Sequence, residues 1–164
     1  MSRLPSAILW SLCLASTISA QTIPKDLWGK WIVRRDLPAR TISCWGEAET
    51  RELIGTELEY SAELFRWKDK VTKHPISDER IVSAEQFHAE NSGQGANSSD
   101  VTFRQLGISA KQAKIITIRH GNANISGATT EIPGDVVLVK NENTIIFSIC
   151  NVYFEARRVA AQRK

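Results

Sequence analysis

The sequence predicts an all-β fold: one antiparallel sandwich or barrel of about eight strands, with one or two short helices. Three observations carry that prediction. Apolar residues recur with period two over short runs, these runs are rich in Val, Ile, Phe and Tyr, and turn residues separate them at close spacing.

The first run is KWIVRR, residues 30–35. Alternation places Trp31 and Val33 on one face, with Arg35 in phase where the strand leaves the core. Lys30, Ile32 and Arg34 face the other way. TISCW, 41–45, is a short extended run. In ELEYS, 57–61, Leu58 and Tyr60 fall together, opposite Glu57 and Glu59. In LFRWK, 64–68, Leu64 aligns with Arg66 and Phe65 with Trp67. RIVSAEQFHAE, 80–90, starts with β-branched residues and then becomes mixed. KIITIRH, 114–120, puts Ile116 and Ile118 on one side. The segment 135–158, DVVLVKNENTIIFSICNVYFEARR, reads as three strands. Asn141 and Asn143 mark its first turn, and its second break falls near Asn151. Ile145, Phe147 and Ile149 share one face, as do Val152, Phe154, Ala156 and Arg158.

Two stretches read as helical. GEAETRELIG, 46–55, has room for one or two turns. TFRQLGISAKQA, 102–113, spaces Phe103 and Leu106 by three, with Ser109 placed to cap a turn starting at Ala110. Two long connections, 91–100 and 122–135, are rich in Asn, Gly and Ser. Pro133-Gly134 ends the second.

The first twenty residues carry one charge, Arg3, then an apolar run over 7–15 and the small-residue ending Ile18-Ser19-Ala20. That is the pattern of a secretory signal peptide, too short for a membrane anchor. The expectation is therefore a mature domain over 21–164, secreted or periplasmic. It has 20 basic against 18 acidic residues, a net charge of +2. Such a charge, dispersed along the chain, gives no basis for nucleic-acid binding. Cys44 and Cys150 remain after cleavage. In an exported chain two cysteines most simply form one disulfide; two buried thiols are the alternative. No Cys-x-x-Cys or helically spaced His pair suggests a metal, and His74, His88 and His120 are scattered.

Gly29-Lys30-Trp31 is a Gly-x-Trp at the start of a first strand in such a chain. It resembles the lipocalin signature. The resemblance implies a barrel whose closed end holds Trp31, with an arginine of the last strand over its ring. Phase selects Arg158 over Arg157. Gly29 is the position where the chain bends or approaches a neighbour too closely for a Cβ. The resemblance also implies a bridge tying the C-terminal part to the barrel, and Cys44–Cys150 is similar in kind. The second lipocalin motif is missing, and the terminal helix is missing or reduced to RRVAAQRK, 157–164. WGKWIV, LIGTELEYSAELFRW and NVYFEARR are also similar to a group of bacterial secreted proteins to which no activity attaches.

No catalytic motif is present: Gly-x-Ser-x-Gly, His-Glu-x-x-His and Ser-x-x-Lys are all missing. The expected role is that of a monomeric binding protein, without cofactor, for a small apolar or amphipathic molecule. Tyr60, Trp67, Phe147 and Phe154 are the candidate lining of the barrel, or else its filling. The alternative is a protein-binding module, such as an inhibitor of an exported hydrolase, acting through 91–100 and 122–135.

Overall fold

The computed structural model describes residues 22–38, 45–92, 100–119 and 132–160. The expected signal peptide, Cys44, most of both long connections and the last four residues lie outside them. Nine antiparallel strands form one sheet among the described residues. They are β1 (Gly29–Leu37), β2 (Glu57–Tyr60), β3 (Leu64–Trp67), β4 (Lys70–Lys73), β5 (Ile76–Ser83), β6 (Gln112–Arg119), β7 (Val136–Asn141), β8 (Thr144–Ile149) and β9 (Val152–Arg158). Helix α1 (Glu47–Leu53) links β1 to β2, and α2 (Ala84–Asn91) follows β5 directly. The all-β expectation holds, with nine strands in place of about eight.

The strand order is β4-β3-β2-β1-β9-β8-β7-β6-β5. Its two outer strands, β4 and β5, are joined by His74 and Pro75 alone. A flat sheet of nine strands would be about 38 Å wide, at ~4.8 Å per strand. Two residues between Lys73 and Ile76 reach about 11 Å. The sheet must therefore curl, and it forms a half-barrel. Side chains from distant strands meet inside it: Trp31, Val33, Leu58, Tyr60 and Phe65 share one buried cluster with Ile116, Val137, Ile145, Phe147 and Phe154. The Tyr60 hydroxyl donates to the Gly134 carbonyl across the interior at 2.8 Å.

Residues 22–28 close part of this interior. Ile23 and Leu27 are fully buried in the same cluster. The segment is anchored to β5 and β6 through Ser77, whose hydroxyl donates to the Thr22 carbonyl, and through the Lys114–Asp26 ion pair.

The register of β1 corrects one expectation. Val33 pairs with Ala156 but Arg35 pairs with Glu155, so a bulge at Arg34 shifts the alternation. Arg35 and Leu37 thus lie on the outer face, and Arg35 does not share the face of Trp31.

That outer face is buried as well. α2 and residues 101–108 cover β5 to β9, and a second cluster joins Phe87, Val101, Phe103, Leu106 and Ile108 to Ile115, Leu138, Ile146 and Tyr153. The helix expected around Phe103 is a single closed turn. Thr102 and Gln105 cap each other at its start: Gln105 Oε1 accepts from the Thr102 amide, and Thr102 Oγ1 accepts from that of Gln105. Its end is a Schellman arrangement, with Ile108 N–H bonded to Phe103 and Gly107 N–H to Arg104. The sequence 109–113 then feeds β6 and begins no helix. Conversely, α2 occupies the mixed second part of 80–90, outside the two stretches that read as helical. The Ser83 hydroxyl caps it by accepting from the Gln86 amide at 3.0 Å.

Gly134 has φ +85°, and a Cβ there would collide with Tyr60 Oη and come within 3.0 Å of Leu58 Cδ1. Gly134→Ala is expected to cost roughly 2–4 kcal/mol, from backbone strain and overpacking together. Denaturant unfolding measures it. A cost below about 0.5 kcal/mol would mean that the cross-interior contact is not made, since ordinary surface substitutions fall in that range.

Candidate functional site

The aromatic residues expected to line or fill the barrel divide into two kinds. Tyr60, Phe147 and Phe154 are 1%, 2% and 0% exposed. Phe147 stacks on Phe154 at 5.4 Å between ring centroids, and Tyr60 stacks on Phe65 at 5.1 Å. Burial pushes the Tyr60 hydroxyl well above its ordinary pKa, with the Asp135 carboxylate adding to the effect. It stays a neutral hydrogen-bond donor. Trp67 is only partly buried at the rim of the cluster, with Lys68 Nζ 4.9 Å and Lys70 Nζ 5.8 Å from its ring centroid.

At the start of β1, Trp31 is buried and donates from its indole nitrogen to the Leu27 carbonyl. The Arg158 guanidinium lies over its ring, 4.1 Å from the centroid. The same guanidinium donates to the carbonyls of Trp28, Asp26 and Glu142. Arg158 thereby ties residues 22–28 and the β7–β8 turn to the end of β9. Gly29 has φ +122°, and a Cβ there would press on Arg158 Nη1. Cys150 and Asn151 form the β8–β9 turn, and both have positive φ.

One buried carboxylate was not singled out by the sequence. Glu155 is 1% exposed on the outer face of β9. Arg35, Lys140 and Arg157 each pair with it at 3.2 Å. Burial pushes its pKa up, but hydrogen bonds from Arg35, Lys140 and Arg157 outweigh this and hold it below the ordinary glutamate value. Every Glu155 oxygen is engaged, so the group acts as a clamp between β1, β7 and β9.

The outer face also holds a half-enclosed cavity of about 150 Å³ between α2 and the sheet. Its floor is apolar: Phe87 from α2, Ile115 from β6, Leu138 from β7 and Ile146 from β8. Its rim is polar, with Arg80, Asn91, Thr117, Ser148 and Tyr153. The Tyr153 hydroxyl donates to Asn91 Oδ1, and Asn91 Nδ2 donates to the Phe87 carbonyl. These bonds fix the end of α2 over β9. Arg80 donates two hydrogen bonds to Glu90, at 2.8 and 2.7 Å. A wider depression of about 670 Å³ at the start of α2, lined among the described residues by Ser83, Ala84, Glu85, Lys111 and Gln112, is more open. The smaller cavity encloses a molecule better.

Sequence reading missed this cavity because it took β6 to β9 as strands with one apolar face. Their near-continuous apolar runs, IITI, VVLV, TIIFSI and VYF, were the available signal. Strands buried on both faces read that way.

No family model matches the chain, and no curated protein or solved structure matches it. Among the described residues no group of three or more His, Cys, Asp or Glu is placed to hold a metal ion. No helix among them is long and apolar enough to cross a membrane.

The Glu155 clamp has a defined pH signature. Its carboxyl pKa is lowered on folding, so its contribution is complete above the unfolded value near 4.3–4.5 and is lost as pH falls through the folded value. Glu155→Gln is expected to cost about 2–4 kcal/mol at pH 7, moderated because Arg35 and Arg157 reach solvent. The difference from wild type should shrink on acidification, because a protonated glutamate resembles glutamine. Urea unfolding at pH 7 and pH 3 measures both; an unchanged difference would contradict the charged clamp.

Proposed function

We propose that this chain is an exported, lipocalin-like binding protein for a small amphipathic molecule, and that the molecule occupies the cavity beneath α2. The observation that carries the reading is that cavity's construction. An apolar floor supplies affinity, and a few polar side chains at the rim supply orientation, as in small-molecule sites generally. The floor is built on three paired strands, β6 to β8, and the lid is a helix capped at its start, so the site is preformed.

Export is supported by the first twenty residues. A Cys44–Cys150 bridge fits the surroundings of Cys150. β1 ends at Leu37 opposite Tyr153, and Cys44 follows Leu37 by seven residues. A cysteine with positive φ is an uncommon turn residue, which argues for a role beyond turn formation. Lipocalin likeness rests on the Gly29, Trp31 and Arg158 arrangement and on the curled sheet.

A second reading, the protein-binding module, is favoured by the packing of the interior, where Tyr60, Phe147 and Phe154 are all at most 2% exposed. Its expected contact segments, 91–100 and 122–135, fall largely outside the described residues.

Native mass spectrometry of the chain purified from the exported fraction separates the two. The binding protein should carry a small non-covalent adduct, on a chain that starts at Gln21 and loses two hydrogens to one disulfide. A bare chain that instead co-elutes at one-to-one stoichiometry with a second protein would contradict the ligand reading.

A further inference from the structure

We infer that the cavity beneath α2 takes an uncharged single-ring molecule bearing a hydroxyl or carbonyl group; this rests on the ligand-binding reading above. Three observations fix the class. The first is size. A volume of about 150 Å³ equals that of an apolar protein cavity known to hold benzene, so one six-membered ring fills it. A fatty acid, sterol or haem could place only a small part of itself in that volume.

The second is the floor. Phe87, Ile115, Leu138 and Ile146 offer a ring only apolar contact, which favours an aromatic or aliphatic ring over a sugar. A sugar would bury several hydroxyls there without partners.

The third is charge. Among the described residues Arg80 is the one cationic side chain in the lining, and Glu90 engages it through two hydrogen bonds. The Glu90 carboxylate is also held by Gln86, at 2.9 Å. This pair is closed and neutral as a unit. A carboxylate ligand would have to compete with Glu90 for the guanidinium, and an ammonium ligand would have to compete with Arg80 for the carboxylate. Either ion would otherwise have only uncharged rim groups and solvent as partners, with no opposite charge to pair it. A neutral hydroxyl or carbonyl needs no such exchange. The Thr117 and Ser148 hydroxyls at the rim can each rotate to donate or to accept. They flank Val136 from β6 and β8, two residues along β7 from Leu138, so a ring lying on Leu138 would present its polar substituent to one or the other.

Phenol, benzoate and benzylamine are three probes of one ring size and different charge. The test titrates each into the purified chain and follows the methyl resonances of Ile115, Leu138 and Ile146. Phenol should shift these methyls saturably, at least tenfold more tightly than benzoate or benzylamine. Ser148→Ala, at an exposed position, should weaken phenol several-fold while leaving the rest of the spectrum in place. Ile146→Phe should abolish the phenol shifts by filling the floor. Benzoate or benzylamine binding at the same methyls as tightly as phenol would overturn the uncharged class and leave the cavity as a binding site. No shift of these methyls by any of the three probes at millimolar concentration would overturn the cavity reading itself.

Discussion

The shortness of the link between β4 and β5 governs this structure. Two residues, His74 and Pro75, join strands that stand at opposite ends of a nine-strand order. No flat or gently twisted sheet satisfies that constraint, so the sheet must curl until its ends approach. Curling brings Tyr60 to Gly134 and the β1–β3 side chains onto those of β6–β9. The interior then fills with large rings. It also turns the outer face of β5–β9 into a convex apolar surface, which α2 and residues 101–108 cover. The cavity follows from imperfect coverage. α2 contributes one large buried side chain, Phe87, and an eight-residue helix resting on one aromatic cannot fill the surface beneath it.

Two clamps hold the ends of this arrangement. Arg158 joins residues 22–28, the β7–β8 turn and the Trp31 ring at one end of β9. Glu155 gathers Arg35, Lys140 and Arg157 on the outer face. They are three residues apart on β9 and face opposite sides of the sheet, so the strand is fixed on both surfaces. Both draw on the irregularity at Arg34, which keeps Trp31 inside while turning Arg35 outward to Glu155.

Much of the fold was legible because it obeys period two. Leu58 with Tyr60, Ile116 with Ile118, and the three strands of 135–158 follow the alternation, and the turns at Asn141–Asn143 and Asn151 fall where asparagine suits them. β4 and β5 were harder. β4 is an edge strand with Lys70, Val71 and Lys73 exposed, so no buried face imposes a pattern. β5 alternates polar with polar over Ser77–Arg80. α2 has no apolar stripe, only Phe87, and its cap at Ser83 was the one local sign. The bulge at Arg34 leaves no mark in the sequence, because Arg suits either face. For the site, the interior aromatics were conspicuous as residue types. The cavity residues were not, because a convex second face is invisible until the curl of the sheet is known.

The curl is therefore the claim on which interior, outer layer and cavity all depend. Its most direct test is a nuclear Overhauser measurement between the Leu58 methyl groups and the α protons of Gly134 in the folded chain. A strong cross-peak is expected, since a Cβ on Gly134 would come within 3.0 Å of Leu58 Cδ1. No cross-peak, with the β1–β2 and β6–β7 pairings intact in the same spectrum, would mean an open sheet and would contradict it.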